Sequence, residues 1–222
     1  MDESRTERIT AVAALEEPTR RRLYEYVVRR AKPVGRDEAA TALRLPRATA
    51  AFHLNRLVRD GLLDAVHERR NGRSGPGAGR PSKLYLRSDR HIEVSLPEHR
   101  YDLAGQLLAT AIEDAETTGD SPRSALNRRA RQLGNELAAT AGAGPDAVLR
   151  VVEAHGFEPR TDGTAIVLGN CPFHTLAEHH TDLVCEMNLC LLDALLTSLK
   201  TTDLHAELNP SPGHCCVRLE HQ

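Results

Sequence analysis

Tryptophan is absent from this 222-residue chain, and three Phe with four Tyr bring the aromatic share to only 3%. That removes the stacked aromatic platforms on which unpaired bases are held. No apolar run approaches the roughly 18 residues that a membrane-spanning helix needs. No signal-peptide pattern of charged, apolar and small residues opens the chain, so the expectation is a cytoplasmic protein with no membrane partner. Cysteine is missing from the first 170 residues, and all five cysteines follow. Five thiols cannot all pair, and in a reducing cytosol such a group marks a metal, cluster or redox site more often than a disulfide framework. No Cys-x-x-Cys redox motif and no Gly-rich nucleotide loop accompanies them, so the reading is of a protein that is not an enzyme.

The formal charge is −2, which on its face argues against nucleic acid. The distribution reverses that impression. Residues 1–95 hold 20 Lys plus Arg against 13 Asp plus Glu, whereas residues 96–222 hold 9 against 18. A basic half joined to an acidic half predicts that only the first meets phosphate. Two domains follow, 1–95 and 96–222, each long enough to bury a core.

Pro46 to Leu63 is the most informative stretch. Ala50, Leu54, Leu57 and Val58 repeat at helical spacing and form a stripe to be buried. Ala48, Phe52, Asn55, Arg56 and Arg59 fall on the opposite side. A helix held by one face, with small and hydrogen-bonding groups on the other, fits a major groove. Asp60-Gly61 ends it. Ahead of it, the pattern predicts helices from Glu7 to Leu15, from Pro18 to Arg30 and from Asp37 to Leu43, with Lys32-Pro33-Val34-Gly35 as a break.

A two-stranded wing then runs over Leu62 to Glu68 and Lys83 to Arg87, around a Gly- and Arg-rich tip. Candidate DNA contacts are Arg47, Ala48, Thr49, Phe52, His53, Asn55, Arg56 and Arg59 on the helix, with Arg73, Arg80 and Lys83 in the wing. Asn55 is a candidate for adenine, Phe52 for a thymine methyl, and Arg80 in Gly79-Arg80-Pro81 for a minor groove.

The second half reads as α+β. Helices are expected over Tyr101 to Glu116, with Leu103, Leu107, Leu108 and Ile112 as the apolar stripe, then from Pro122 to about Thr140, and from Pro145 to His155. A hairpin turns at Asp162-Gly163. One long helix is expected from Glu178 to Leu199, and a hairpin of Leu204 to Leu208 with Cys215 to Leu219 closes the fold.

Cys171, His174, Cys185, Cys215 and Cys216 sit on three separate segments of this half and are the candidate metal or cluster ligands. Thiolates suit zinc and iron–sulfur clusters, and imidazole suits zinc and some clusters. In a strand, Cys215 and Cys216 would face opposite sides, with His214 sharing the side of Cys216. Cys190, about 140° round the helix from Cys185, reads as a core residue.

The first 90 residues resemble the ArsR-like winged-helix regulators, through Glu17-Pro18-Thr19-Arg20, Ala50-Ala51-Phe52-His53-Leu54 and Gly79-Arg80-Pro81-Ser82-Lys83-Leu84-Tyr85. Asn170-Cys171-Pro172-Phe173, Leu183-Val184-Cys185 and Gly213-His214-Cys215-Cys216 are similar to the sensor half of the Suf-operon iron–sulfur repressors. The resemblance implies a homodimeric repressor of double-stranded DNA operators. Its C-terminal α+β sensor and dimerisation domain would hold an iron–sulfur cluster through Cys171, Cys185 and one of Cys215 or Cys216. A cysteine that those repressors carry between the long helix and the last strand is absent here. The fourth ligand is then His174, another His or an exogenous group, and zinc stays open as the alternative to a cluster.

Overall fold

The computed structural model describes residues 5–68, 81–142, 144, 146–199 and 203–221. The architecture is α+β, in two compact units, 1–94 and 95–222.

The first unit opens with α1 (Arg5–Ala13), which runs into a short 3-10 turn at Ala14–Glu16, and then α2 (Pro18–Val28). The start of α2 follows from its sequence. Glu17 accepts from the backbone N–H groups of Thr19 and Arg20 at 3.0 and 2.6 Å, and Pro18 occupies a position where a missing N–H costs nothing. The expected break at Val34-Gly35 is a two-residue strand, β1 (Val34–Gly35), paired with the wing through Val34↔Tyr85 and Gly35↔Leu84.

Next come α3 (Arg36–Leu43) and α4 (Arg47–Arg59), joined across Arg44 in the left-handed region at φ 54°. Leu45 N–H donates to Ala40 O at 2.8 Å, which closes α3 before Pro46. At the other end of α4, Gly61 takes φ 75°, and Leu62 N–H returns to Leu57 O at 2.9 Å. That Gly-centred cap turns the chain directly into the wing. The wing strands are β2 (Leu63–Glu68) and β3 (Ser82–Arg87), giving an antiparallel sheet of order β1-β3-β2. Ala50, Leu54 and Leu57 are wholly buried with Leu23, Val27, Ala39 and Leu63, so the predicted apolar stripe of α4 is the one that packs.

In the second unit, α5 (Tyr101–Thr118), α6 (Pro122–Thr140), α7 (Ala147–Ala154), α8 (His174–His179) and α9 (Thr181–Leu199) accompany a second sheet. Its strands are β4 (Pro159–Asp162), β5 (Ala165–Leu168), β6 (Leu204–Leu208) and β7 (Val217–His221), in the antiparallel order β4-β5-β7-β6. Leu126, Leu168, Phe173, Met187, Leu192, Leu195 and Leu219 fill the core.

Three expectations are corrected. Leu103, Leu107 and Leu108 of α5 pack on the core as expected, together with Ala104, Ala111 and Ala115, but Ile112 is 53% exposed. Close helix packing brings small residues into the stripe and turns Ile112 outward. The single helix from Glu178 is two helices, because His180 leaves helical geometry at φ −135° and ψ 48°. Cys215 and Cys216 precede β7 rather than lying in it. The proposed helix opening at Pro145 lies outside the described residues.

Candidate functional site

The outward face of α4 carries Ala48, Phe52, Asn55 and Arg59, all exposed, with Phe52 at 65%. Thr49 is half-buried beside them. The other predicted contacts have partners of their own. Arg47 grips Asp37 of α3 with two bonds, Nε to Oδ1 at 2.8 Å and Nη2 to Oδ2 at 2.7 Å. That bond holds the Asp37 carboxyl below its usual range, against partial burial, and raises Arg47. Arg56 reaches Asp60 one turn on, with Nε at 2.8 Å from Oδ2. Among the described residues Arg59 has no such partner.

His53 is turned inward. Its side chain is 13% exposed, and Nδ1 lies 3.4 Å from Oε2 of Glu17, the capping residue of α2. The same carboxylate therefore starts α2 and lies beside α4, where His53 Nδ1 makes no hydrogen bond among the described residues. Burial raises its pKa, but the N–H groups of Thr19 and Arg20, together with His53, hold Glu17 below the usual value.

Asn55 is tied to the wing: Oδ1 accepts from Lys83 Nζ at 2.6 Å and from Tyr85 Oη at 3.1 Å. Tyr85 is a residue that sequence reasoning passed over, since it reads as an ordinary strand aromatic. Arg73 and Arg80 lie outside the described residues.

In the second unit, four of the five predicted ligands come together. Cys185 in α9 and Cys216 before β7 are joined by a disulfide, with Cα atoms 6.2 Å apart. Cys171 and Cys215 are buried free thiols beside one another. Backbone geometry brings them there: Cys215 N–H donates to Leu168 O at 2.8 Å, and Cys171 O accepts from His174 N–H at 3.0 Å. Because Cys215 and Cys216 stand in a loop, strand alternation does not separate them, and both thiols enter the group.

The neighbouring Cys171 thiol, and then burial, push the Cys215 thiol well above the usual value, while the interaction with Cys215 lowers Cys171. Asn188, one turn along α9 from Cys185, donates Nδ2 to Cys215 Sγ at 3.2 Å. Its Oδ1 is buried without a hydrogen-bond partner among the described residues. An Asn in an otherwise leucine-rich helix was the available signal for this residue.

His174 stays apart. It is 61% exposed and faces Glu178, with Nε2 3.5 Å from Oε1. His214 is exposed, and Cys190 is buried in the core.

Among the described residues no three His, Cys, Asp or Glu side chains are arranged to hold a metal ion. Cysteine thiolates are the donor type that zinc and iron–sulfur centres use, and these four cysteines come from three segments with the buried Asn188 amide alongside.

A family model described as a helix-turn-helix domain matches residues 15–66, the span from the 3-10 turn through α4 into the wing. The chain carries a helix-turn-helix DNA-binding domain. No curated protein and no solved structure matches the chain. Among the described residues no helix is long and apolar enough to cross a membrane.

Proposed function

We propose that this chain is a cytoplasmic transcriptional repressor, acting as a homodimer, whose grip on a double-stranded operator responds to an iron–sulfur cluster held in the second unit. The observation that carries this reading is that one chain combines a helix-turn-helix domain with two neighbouring cysteine pairs in its second unit, Cys185 with Cys216 and Cys171 with Cys215. Resemblance to the Suf-operon repressors supports the same assignment.

Two copies of α4 and of the wing would address a pseudo-palindrome with half-sites about one helical turn apart. Phe52 meets a thymine methyl, and Arg59 and Lys83 lie on the side that meets phosphate. α5 is the helix assigned to the second copy: Ile112 is exposed, and the space above Gly105 is open. Bound at the four thiolates, a cluster would supply a group sensitive to oxidants and to iron supply. The chain's own part is to deliver the thiols and shield them. Cys171 and Cys215 are buried, and Asn188 directs an N–H to the Cys215 sulfur.

Anaerobic purification followed by an absorption spectrum and metal analysis tests the centre. A brown protein absorbing near 400 nm, with iron lost in Cys171→Ser and in Cys185→Ser, is the expected result. A colourless protein holding zinc through the same residues would replace the cluster with a structural zinc site. Iron and zinc contents unchanged by either substitution would remove the ligand assignment.

A further inference from the structure

We infer that Asn55 reads a guanine, and not the adenine that an asparagine on a recognition helix would suggest. The inference rests on the reading of α4 as the groove-facing helix.

The orientation of the Asn55 amide is set by chemistry. A lysine ammonium can donate hydrogen bonds but has no lone pair to accept one. The Asn55 atom 2.6 Å from Lys83 Nζ must therefore be the amide oxygen. Tyr85 Oη donates to that same oxygen at 3.1 Å. A carbonyl oxygen has two lone pairs, and both now have a donor.

What Asn55 has left for a base is its exposed NH2 group. Pairing with adenine requires an acceptor for the N6 amino group as well as a donor for N7, and the acceptor is already engaged. Guanine presents two acceptors, N7 and O6, and no donor on that edge. A thymine edge offers one acceptor and a methyl, and a cytosine edge offers a donor that would face another donor. The wing strand β3 thus fixes, through Lys83 and Tyr85, which base the helix α4 selects.

The test is a selection with the full-length protein from duplex DNA randomised over about 25 base pairs, read by sequencing. Wild type is expected to enrich one guanine per half-site by about tenfold over adenine. Asn55→Ala should level the preference at that position and leave the others unchanged. Lys83→Met combined with Tyr85→Phe frees the oxygen, and the preference should move from guanine to adenine.

Adenine at that position with wild type, an Asn55→Ala profile identical to wild type, or guanine retained in the double variant would each overturn the inference while leaving DNA binding intact. No enrichment of any sequence by wild type would overturn it together with the DNA-binding reading.

Discussion

Gly134 of α6 lies directly against the backbone of Leu191 in α9. A Cβ at position 134 would collide with Leu191 O and crowd Leu195 N and the Ala194 side chain. Two long helices pack here at backbone distance, and the obstacle is main chain that cannot rotate aside. Gly134→Ala should therefore destabilise the second unit by about 1–3 kcal/mol. Thermal unfolding checks this, and an unchanged transition would show that α9 can shift to make room.

Asp114 and Arg129 join α5 to α6 through two bonds of 2.6 Å each. The hydrogen bond from Arg129 holds the Asp114 carboxyl below its ordinary value of 3.8, despite partial burial. A carboxyl depressed on folding contributes stability above its unfolded value and loses it as the pH falls through the folded one. Asp114→Asn should lower the melting temperature at pH 7. The difference from wild type should shrink progressively below about pH 4. A gap constant down to pH 2 would count against the pair.

Thiol counting tests the arrangement around Cys185 and Cys216. In metal-free protein isolated without reductant, three thiols (Cys171, Cys190 and Cys215) should react after denaturation, and all five after reduction. Peptide mapping should recover Cys185 linked to Cys216. A link between Cys171 and Cys215 instead would reassign the pairing.

Phe52 is large, apolar and 65% exposed, so its truncation removes little packing. Phe52→Ala should leave the unfolding transition within about 0.5 kcal/mol of wild type, as surface changes do. Affinity for selected DNA should fall about tenfold or more, measured by fluorescence anisotropy. Equal affinity would exclude Phe52 from the interface.

The first unit was legible because its signals are local. Pro18 after Glu17, Pro46 before the helix and Gly61 after it mark boundaries through backbone geometry that only a few residues accept. The alternation of buried and exposed positions in α4 is a matter of spacing. What escaped reading depends on partners distant in sequence. Nothing near Arg47 announces Asp37 across a turn, and nothing near Asn55 announces Lys83 and Tyr85, 28 and 30 positions away.

In the second unit, the four cysteines were found by type and concentration. Their mutual placement turned on where β7 begins. Shifting that boundary from Cys215 to Val217 takes both thiols out of a strand, and with it the argument that one must face away. His174 stood near Cys171 in sequence, but its side chain turns to Glu178 one turn along α8.

The carboxylates that hold Arg47 and Arg56 bear on how binding answers to ionic strength. Binding to DNA gains much of its strength from releasing counterions condensed on the phosphates, and the loss of affinity with added salt counts the positive charges brought to them. Asp37 and Asp60 offset two of those charges before contact is made. The arginines of α4 accordingly bring less electrostatic pull toward DNA than their number suggests. The helix should tolerate salt better than one whose arginines are unpaired, and rely more on fit to the base edges.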